Sequence, residues 1–298
     1  MALPQTGIFA LGNPSHAYLE FDLVQGADAP TLVTAVANLS EPRTTMGGVN
    51  LVTGFRPELW SATAPARAPQ GLASFDRPVV GADGYTMPAT QHDLALWIAG
   101  GAYDVVFDAT LGVIAALHES AALADETAGW SYHRDLDLTG FIDGTENPSL
   151  SAAPARVLVP PNQPGAGGTV LLLQKWVHDS AAWTSLSTSE QEQVIGRTKR
   201  DSVELEDRPA TSHVARTDQD ALGTIFRRNT PYGSVREHGT MFVGFSAEQR
   251  PLAAMLDSMA GVDGSPRDAL TRYARALSGS YYFVPSLDDL AVFGTDDE

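Results

Sequence analysis

The sequence predicts an α+β protein, because strand patterns and amphipathic helical patterns both occur in it and follow one another in an order that is found twice. Leu19, Phe21 and Leu23 alternate with acidic residues, which is typical of a strand with one buried face. Residues 94–99 are nearly all apolar and predict a more deeply buried strand. The apolar residues from Tyr103 to Leu117 then fall on one face of a helix, so we expect that helix to pack on a sheet.

The remaining elements of the first half are a helix, a strand and a loop. The nearly helical spacing of Leu32, Val36 and Leu39 predicts a helix, which we expect to end at Ser40-Glu41-Pro42. Residues 49–55 predict a second strand, and residues 83–91 predict a loop.

The second half repeats this order of elements. The predicted strands are residues 169–177, 240–245 and 281–284. Helical patterns begin after the first of these strands, where Ser189 and Glu192 are spaced as a capping box. Ser246 and Gln249 form a second such pair, ahead of a helix that Gly261 closes.

Strand, helix, strand, strand, helix, strand is the order expected of a ferredoxin-like unit. We therefore predict two such units in tandem, at residues 1–150 and 151–298, each with an antiparallel sheet and flanking helices. A passage rich in Ser, Ala, Pro and Gly, which runs to Gly168, connects them. The fold alone predicts no function.

The composition excludes several classes of protein. The 298 residues are 43% hydrophobic and 18% charged, which is typical of a compact globular protein. There are 19 basic and 36 acidic residues, and the resulting net charge of −17 disfavours binding to nucleic acids or anionic membranes. The sequence contains neither a signal-peptide pattern at its start nor an apolar run of membrane-spanning length, so a cytoplasmic protein is expected.

Histidine is the main candidate metal ligand, because the chain has no cysteine. Disulfides, thiolate zinc sites, iron–sulfur clusters and thiolate-ligated haem are thereby excluded. The seven histidines form no zinc-binding pattern, and a surface or capping role is favoured for most of them. His213 differs because it lies in a polar, proline-broken segment between predicted elements, where functional groups are common.

Two other segments have unusual compositions. Asp143 lies between glycines in Gly140–Gly144, directly after an apolar pair, although an ordinary Asp-Gly turn is the default interpretation. Arg227 and Arg228 precede Asn229 in an otherwise acidic chain, and surface salt bridges are the default interpretation there.

Together, the three segments closely resemble the dye-decolorizing peroxidases. The resemblance rests on G-x-x-D-G followed by T-E-N-P at 140–148, T-S-H at 211–213 and R-x-N-x-P-Y-G at 227–233, in this order and at these separations. It extends over nearly the whole chain, from Pro4 to Leu290, and the compact length is similar to that of the bacterial B-type subfamily. It implies a tandem ferredoxin-like fold that holds haem b between the sheet and the helices of the C-terminal half.

The resemblance also implies roles for four residues. His213 would be the proximal ligand of the haem iron, Asp143 and Arg227 the distal pair, and Asn229 a distal hydrogen-bond donor. Asp143 would move a proton on the bound peroxide and Arg227 would stabilise the charge that develops, which yields a ferryl porphyrin radical. The division of labour between the two stays open. Arg228 is the alternative to Arg227, but the R-x-N spacing favours Arg227.

Supporting roles are also implied for other polar residues. A proximal histidine usually donates its second N–H to a carboxylate, for which Asp288 is a candidate. Arg197 or Lys199 could bind the haem propionates. Glu146 could line the access route or bind a metal ion, although a solvated acid is the favoured interpretation.

The expected protein is a haem b peroxidase that reduces hydrogen peroxide and oxidises dyes, phenols and other bulky aromatic donors in one-electron steps. The alternatives are a haem carrier or iron-release protein with the same His213, and a haem-free α+β binding module. The resemblance implies a homo-oligomer. Phe293–Glu298 lacks the extended apolar tail that docks some relatives inside encapsulin shells, so encapsulin cargo is not expected.

Overall fold

A computed structural model describes residues 2–39, 43–44, 47–134 and 136–295. The predicted helix stop at Ser40-Glu41-Pro42 and the last three residues of the C-terminal end, 296–298, lie outside the described residues. No helix in the described part is long and apolar enough to cross a membrane.

Most of the strands belong to one large antiparallel sheet, and a separate hairpin is formed by β4 and β5. The strands of the described residues are β1 Ser15–Leu23, β2 Arg43–Thr44, β3 Gly47–Phe55, β4 Val79–Val80, β5 Thr86–Met87, β6 Leu94–Gly100, β7 Ala121–Trp130, β8 Thr169–His178, β9 Phe226–Arg227, β10 Thr230–Gly233, β11 His238–Ser246, β12 Ala274–Ala276 and β13 Ser280–Val284.

The large sheet closes on itself. Its order is β8-β13-β3-β6-β1-β7-β10-β11, and β11 pairs again with β8. The first half contributes the order β7-β1-β6-β3, and the second half contributes β13-β8-β11-β10. The two halves meet at two narrow seams, where Phe55 lies opposite Phe283 and Gly129 lies opposite Tyr232.

Most of the helices cover the outside of this barrel, whereas Ala153 and Val157 of one short helix pack with the residues inside it. The helices are α1 Ala29–Ala37, α2 Pro57–Thr63, α3 Tyr103–Leu117, α4 Ala153–Val157, α5 Ser180–Thr184, α6 Thr188–Ile195, α7 His213–Arg216, α8 Gln219–Leu222, α9 Gln249–Ala260 and α10 Leu287–Ala291, with short 3-10 helices at Thr6–Ile8, Pro65–Arg67 and Ala269–Arg272. The long helices α3 and α9 pack on the outer faces of the first and second halves, respectively.

Alternation along the strands separates the core into an inner and an outer part. In β1, Leu19 and Phe21 pack under the helices of the first half, whereas Tyr18 belongs to the inner cluster with Trp97 and Tyr282. In β8, successive residues likewise alternate between the inner cluster and the cluster under α9. Side chains therefore fill the barrel, and a site for a ligand has to lie outside it.

The α+β prediction is confirmed, but the two halves form one closed sheet instead of separate ones. The reason is that each four-stranded half ends in two edge strands with unpaired backbone groups, and these edges pair with each other. The predicted loop at 83–91 is partly wrong, because Thr86–Met87 forms β5 and pairs with β4 around a turn that contains Gly84 at φ +85°.

Neither predicted capping box forms at the predicted residues. The box of α6 is formed by Ser187 and Glu190, two residues before Ser189 and Glu192, because the helix begins earlier than the apolar pattern does. Helix α9 has no side-chain cap. Ser246 is still part of β11, and the side chain of Gln249 exchanges hydrogen bonds with the backbone of Ala73 at 2.9 and 3.0 Å.

The predicted apolar face of α3 is partly exposed. Val106, Val113 and Leu117 are buried against the sheet as expected, but Tyr103 and Phe107 face solvent and stack on each other. These two aromatic residues lie near the border of the face, where a helix that covers a curved sheet stops touching it.

Candidate active site

A narrow cavity separates the outer face of β8 and β11 from α7 and α9. It encloses about 1250 Å³ outside the protein atoms, open solvent at its mouth included, but the space between its walls is narrow. Walls that stand this close together form a slot. The apolar lining includes Leu172, Trp176, Phe242, Leu252, Met255, Leu256 and Met259.

His213 lines the slot from the first position of α7, which the buried Ser212 caps. Its Nδ1 lies 2.7 Å from Oδ2 of Asp268, whose side chain is completely buried. The other oxygen of Asp268 accepts a hydrogen bond from the N–H of Leu270 at 2.8 Å. Since a carboxylate only accepts, the imidazole donates from Nδ1 and its Nε2 is left for a ligand.

Asp288 is therefore the wrong partner for His213. Its Oδ2 accepts a hydrogen bond from the N–H of Leu3 at 3.0 Å. Asp268 was missed because it is 55 residues from His213, in the segment that returns after α9. The bond between Ala269 N–H and the carbonyl of Thr211 at 2.8 Å brings the two segments together. No local pattern in the sequence predicts the contact between these two segments.

Asp143, Arg227 and Asn229 meet on another part of the same lining. Nη2 of Arg227 lies 3.9 Å from Oδ1 of Asp143, and Nδ2 of Asn229 donates to this oxygen at 3.3 Å. The N–H of Gly144 donates to it as well, at 2.8 Å. The sequence-predicted pair and its amide neighbour are thus brought together, with the carboxylate oriented by two hydrogen bonds.

Local backbone geometry places these groups. Gly140 and Gly144 have φ values of +84° and +72°, which a residue with a Cβ rarely adopts, so the glycines of the motif are required by the turn. Phe141, between them in the sequence, is buried edge-on against Trp183. The loop is thereby anchored to α5 while Asp143 stays at the cavity.

Asn147 is a positioning residue that the sequence analysis did not identify. Its Oδ1 accepts from the N–H of Arg227 at 2.8 Å, and its Nδ2 donates to the carbonyl of Arg227 at 2.9 Å. The motif loop and β9 are therefore joined by two hydrogen bonds at the residue that carries the guanidinium. The asparagine of T-E-N-P was the sequence signal for this role. A side-chain amide can both accept from and donate to the backbone of a strand, as a neighbouring strand does.

Arg228 is excluded as the alternative to Arg227. Its guanidinium donates to the carbonyls of Gly7, Ile8 and Ala10 at 3.3, 2.8 and 2.6 Å, and it lies 4.9 Å from the ring centre of Trp97. Successive residues of an extended segment point to opposite faces, so only one of the two arginines can face the slot.

The predicted propionate-binding residues lie beside the slot. Arg197 is ion-paired with Glu146, lies 3.5 Å from Glu204, and donates to the carbonyl of Ser202 at 2.7 Å. Glu146 lines the slot, so it is a paired acid and not simply a solvated one. Lys199 donates to Oε1 of Gln191 at 2.6 Å.

Asp137 is a second carboxyl group at the site that the sequence analysis missed. Burial, followed by the negative charge of Asp143, raises the pKa of Asp137 to about 6, although two hydrogen bonds from Thr139 act in the other direction. The acid lies on the wall between the slot and a second, wider cavity. Its carboxyl therefore takes up a proton at a higher pH than an ordinary aspartate does.

Comparisons with known proteins agree with this geometry. Residues 5–131 match the family model described as Dyp-type peroxidase, N-terminal, and residues 134–289 match the model described as Dyp-type peroxidase, C-terminal. The chain belongs to the Dyp-type peroxidase family.

Individual relatives are similar over most of the chain. A dye-decolorizing peroxidase of Mycolicibacterium paratuberculosis is 37% identical over 216 residues, which are 69% of this chain and 61% of that protein. The chain thus spans about three fifths of that relative. A DypB variant from Rhodococcus jostii RHA1 in complex with heme superposes with a TM-score of 0.86 at 30% identity, covering 98% of this chain and 99% of that one. For a dye-decolorizing protein from V. cholerae, the TM-score is 0.84 at 33% identity, with 97% and 99% covered.

Proposed function

We propose that this chain is a haem b-dependent peroxidase that reduces hydrogen peroxide and oxidises dyes, phenols and other bulky aromatic donors in one-electron steps. The observation that carries the proposal is that one narrow slot is lined both by an imidazole held by a buried carboxylate, His213–Asp268, and by an acid–arginine pair, Asp143–Arg227. Family membership and the haem complex of a structural relative support it.

The residues of the slot fit a haem group. The walls are close together and largely apolar, as a flat macrocycle requires, and Nε2 of His213 is available to an iron. Within the described part of the chain, Nε2 of Gln174 and Nε of Arg227 are buried without a hydrogen-bond partner, and both residues line the slot. Buried polar atoms of this kind are costly unless a ligand or water satisfies them.

When bound, the haem would supply the iron that accepts the peroxide and the oxidising equivalents that the donors later reduce. His213 would hold the iron through Nε2. Because Nδ1 donates to the carboxyl group of Asp268, the ring is fixed in one tautomer and its ligating nitrogen is made more basic. An electron-rich ligand on the iron favours heterolysis of the peroxide O–O bond.

Asp143 would move the peroxide proton from the inner to the outer oxygen, directly or through one water. Asn229 and Gly144 donate to its Oδ1, so among the described residues Oδ2 is the oxygen left to exchange the proton. Arg227 would stabilise the negative charge that builds on the departing oxygen, since a guanidinium stays charged throughout the working pH range. This pair would act on the peroxide, while His213 would hold the iron.

We further propose that the two halves, residues 1–150 and 151–298, are ferredoxin-like units with the haem between the sheet and the helices of the second one. The strand orders β7-β1-β6-β3 and β13-β8-β11-β10 support this. In a ferredoxin-like unit the first and third strands are adjacent at the centre of the sheet, as β1 and β6 are in the first half and β8 and β11 in the second. Arg197 remains the proposed cation for a propionate. Cytoplasmic location, homo-oligomerisation and the absence of encapsulin association stay predictions from the sequence.

Absorption spectroscopy of the purified protein tests the proposed function. We expect a Soret band that shifts within milliseconds to seconds when one equivalent of peroxide is added, followed by return of the band as an aromatic donor is oxidised. His213→Ala should lose haem and keep its fold, whereas His118→Ala, at the exposed end of α3, should keep both. A protein that binds haem but does not respond to peroxide would instead be a haem carrier. A protein without a Soret band would be neither a haem peroxidase nor a haem carrier.

A further inference from the structure

Gln174 is a buried polar side chain in the wall that β8 and β11 contribute to the slot. It lies on β8 between Leu172 and Trp176, which line the slot two residues before and after it. Since alternate residues of a strand share a face, Gln174 points to the slot with them, whereas Leu173 packs inside the barrel. Its cross-strand partner on β11 is Phe242, another residue of the lining. The amide is therefore placed among apolar neighbours.

Within the part of the chain that the structure describes, the amide nitrogen of Gln174 has no hydrogen-bond partner. The residue is only 1% exposed, and an unpaired N–H at such a position is destabilising unless a ligand or water meets it. Gln191, which is also buried, shows the usual arrangement. Its Nε2 donates to the carbonyl of Trp183 at 2.9 Å, and its Oε1 accepts from Lys199 at 2.6 Å. The difference indicates that a bound molecule completes the bonding of Gln174.

The two walls of the slot carry different groups. His213 comes from α7, whereas Gln174 comes from the wall formed by β8 and β11. A flat macrocycle bound to Nε2 of His213 would turn its other face toward β8 and β11. Asn229 belongs to that side as well, because its Oδ1 accepts a hydrogen bond from the N–H of Val243 in β11 at 3.2 Å. Since β8 pairs with one edge of β11 and β9 and β10 with the other, Gln174 and Asn229 flank Phe242 from its two sides.

We propose that Gln174 is a further hydrogen-bond donor to the molecule that the haem iron binds on the side of β8 and β11, which is peroxide in the proposed reaction. Its Nε2 would donate to a peroxide oxygen. A side-chain amide does not titrate, so Gln174 would hold that oxygen in place while Asp143 moves the proton. The inference rests on the proposed peroxidase function, to which it adds a substrate-binding residue.

The other acceptors that a haem carries are its two carboxylates, and the surroundings of Gln174 do not suit them. A buried carboxylate requires a cation or several hydrogen-bond donors. Leu172, Trp176 and Phe242, which flank Gln174 on this face, supply neither a cation nor an acceptor for its amide. Binding of a haem carboxylate by Gln174 is accordingly the competing outcome of the test.

The test uses fluoride, an anion that binds ferric haem and accepts hydrogen bonds, with the haem-loaded protein and without peroxide. Gln174→Met, an apolar side chain of similar length, should weaken fluoride binding about tenfold in a titration of the Soret band, because a hydrogen bond to a charged acceptor is lost. In the carbon monoxide complex of the reduced protein, the C–O stretching frequency should rise, since a donor at the oxygen lowers it. Gln249→Met removes an amide that bonds to the backbone of Ala73 outside the slot and should change neither quantity.

Equal fluoride affinity in Gln174→Met and Gln249→Met would overturn the inference. A loss of haem affinity with unchanged fluoride binding would overturn it too, because Gln174 would then bind a haem carboxylate. If unfolding temperatures show that the methionine variant has lost its fold, Gln174→Leu provides the same comparison. Peroxide is then added to the wild type. If fluoride binds as expected but peroxide causes no spectral response, the contact of Gln174 stands and the peroxidase function fails, so the two failures are distinguishable.

Discussion

The orientation of His213 depends on one buried carboxylate that is distant in sequence. Asp268 accepts from Nδ1 of His213 and is itself held by the N–H of Leu270. Because the acid is completely buried and paired, replacing it changes the basicity of the imidazole as well as its position.

Asp268→Asn should lower haem affinity about 10- to 100-fold, the range found when partners of metal-ligating histidines are removed. Asp288→Asn is the matched control, because Asp288 bonds to the backbone of Leu3 instead. Haem transfer to an excess of a scavenger protein measures both affinities. If the two variants release haem equally slowly, Asp268 does not support the proposed ligand.

Arg227 and Asp143 can be ranked in importance by whether water can take over the role of each side chain. Arg227→Leu removes a fixed cation, an effect of about 10²–10³ in rate where single stabilising donors have been deleted. Asp143→Ala removes a proton carrier, typically about 10²–10⁴, but water can take over part of that role. We therefore expect Arg227→Leu to slow the peroxide-induced change in haem absorbance at least as much as Asp143→Ala.

Rapid mixing with peroxide decides this ranking, with Arg236→Leu as the control for loss of a surface charge. If only Asp143→Ala is slow, the order of importance is the reverse of the one expected. If both variants react at the wild-type rate, neither residue acts on the peroxide.

At the residue scale, the sequence pointed to groups that line the slot and missed those that hold them in place. His213, Asp143, Arg227 and Asn229 all line one slot, as their motifs predicted. Residues such as Asp268 could not be found, because their partners are set by how distant segments pack. Asp143 and Arg227 are also distant in sequence, and only the resemblance to a family paired them.

At the scale of single elements, segments with a clear hydrophobic pattern were predicted to within a few residues, whereas the short strands and the ten-residue strand β7 were not predicted. The strand predicted at 169–177 is Thr169–His178, and the one at 94–99 is Leu94–Gly100. The two-residue strands β4, β5 and β9 have no pattern of their own, because their pairing partners determine them. The beginning of α6 was misplaced since Ser-x-x-Glu occurs twice, two residues apart.

The start of α6 gives a direct test of which serine caps the helix. Ser187→Ala should lower the free energy of unfolding by about 1 kcal/mol, because the side chain of Ser187 bonds to the N–H of Glu190. Ser189→Ala, two residues later and already within the helix, should change it by less than about 0.5 kcal/mol. Denaturant unfolding of the two variants provides the comparison, and equal losses would contradict the assigned cap.

At the scale of the whole molecule, the closed sheet is the feature that sequence analysis could not supply. The pairings of β3 with β13 and of β7 with β10 join residues from opposite halves of the chain. Neither partner carries a sequence signal for the other, and the order of elements is the same whether the two sheets close or stay apart.

The barrel interior makes the protein sensitive to acid through His16. Burial, with the charge of Arg228 in addition, lowers the pKa of His16 to about 4, and its Nδ1 accepts a hydrogen bond from Nε1 of Trp97 at 3.1 Å. The unfolded chain binds a proton at this residue below pH 6.5, while the folded protein does so only near pH 4. Stability is therefore lost as the pH falls through this window.

His16→Asn keeps an acceptor for Trp97 but cannot titrate. Between pH 7 and 4, the wild type should lose about 3 kcal/mol more of its free energy of unfolding than this variant does, because each pKa unit corresponds to about 1.4 kcal/mol. Denaturant unfolding over this pH range measures the difference. Parallel pH curves for the two proteins would show that His16 titrates normally in the fold.

Closure of the barrel at two seams also affects how the chain is made. The first half emerges from the ribosome with the free edges of β3 and β7 exposed, and these stay open until the strands between residues 169 and 284 have followed. During that interval each nascent chain offers two unpaired strands to its neighbours, which is the arrangement that leads to strand addition between molecules. The yield of soluble protein should therefore depend on translation rate and on how closely ribosomes follow one another along the messenger, even though β3 and β7 are both paired on either side in the folded protein.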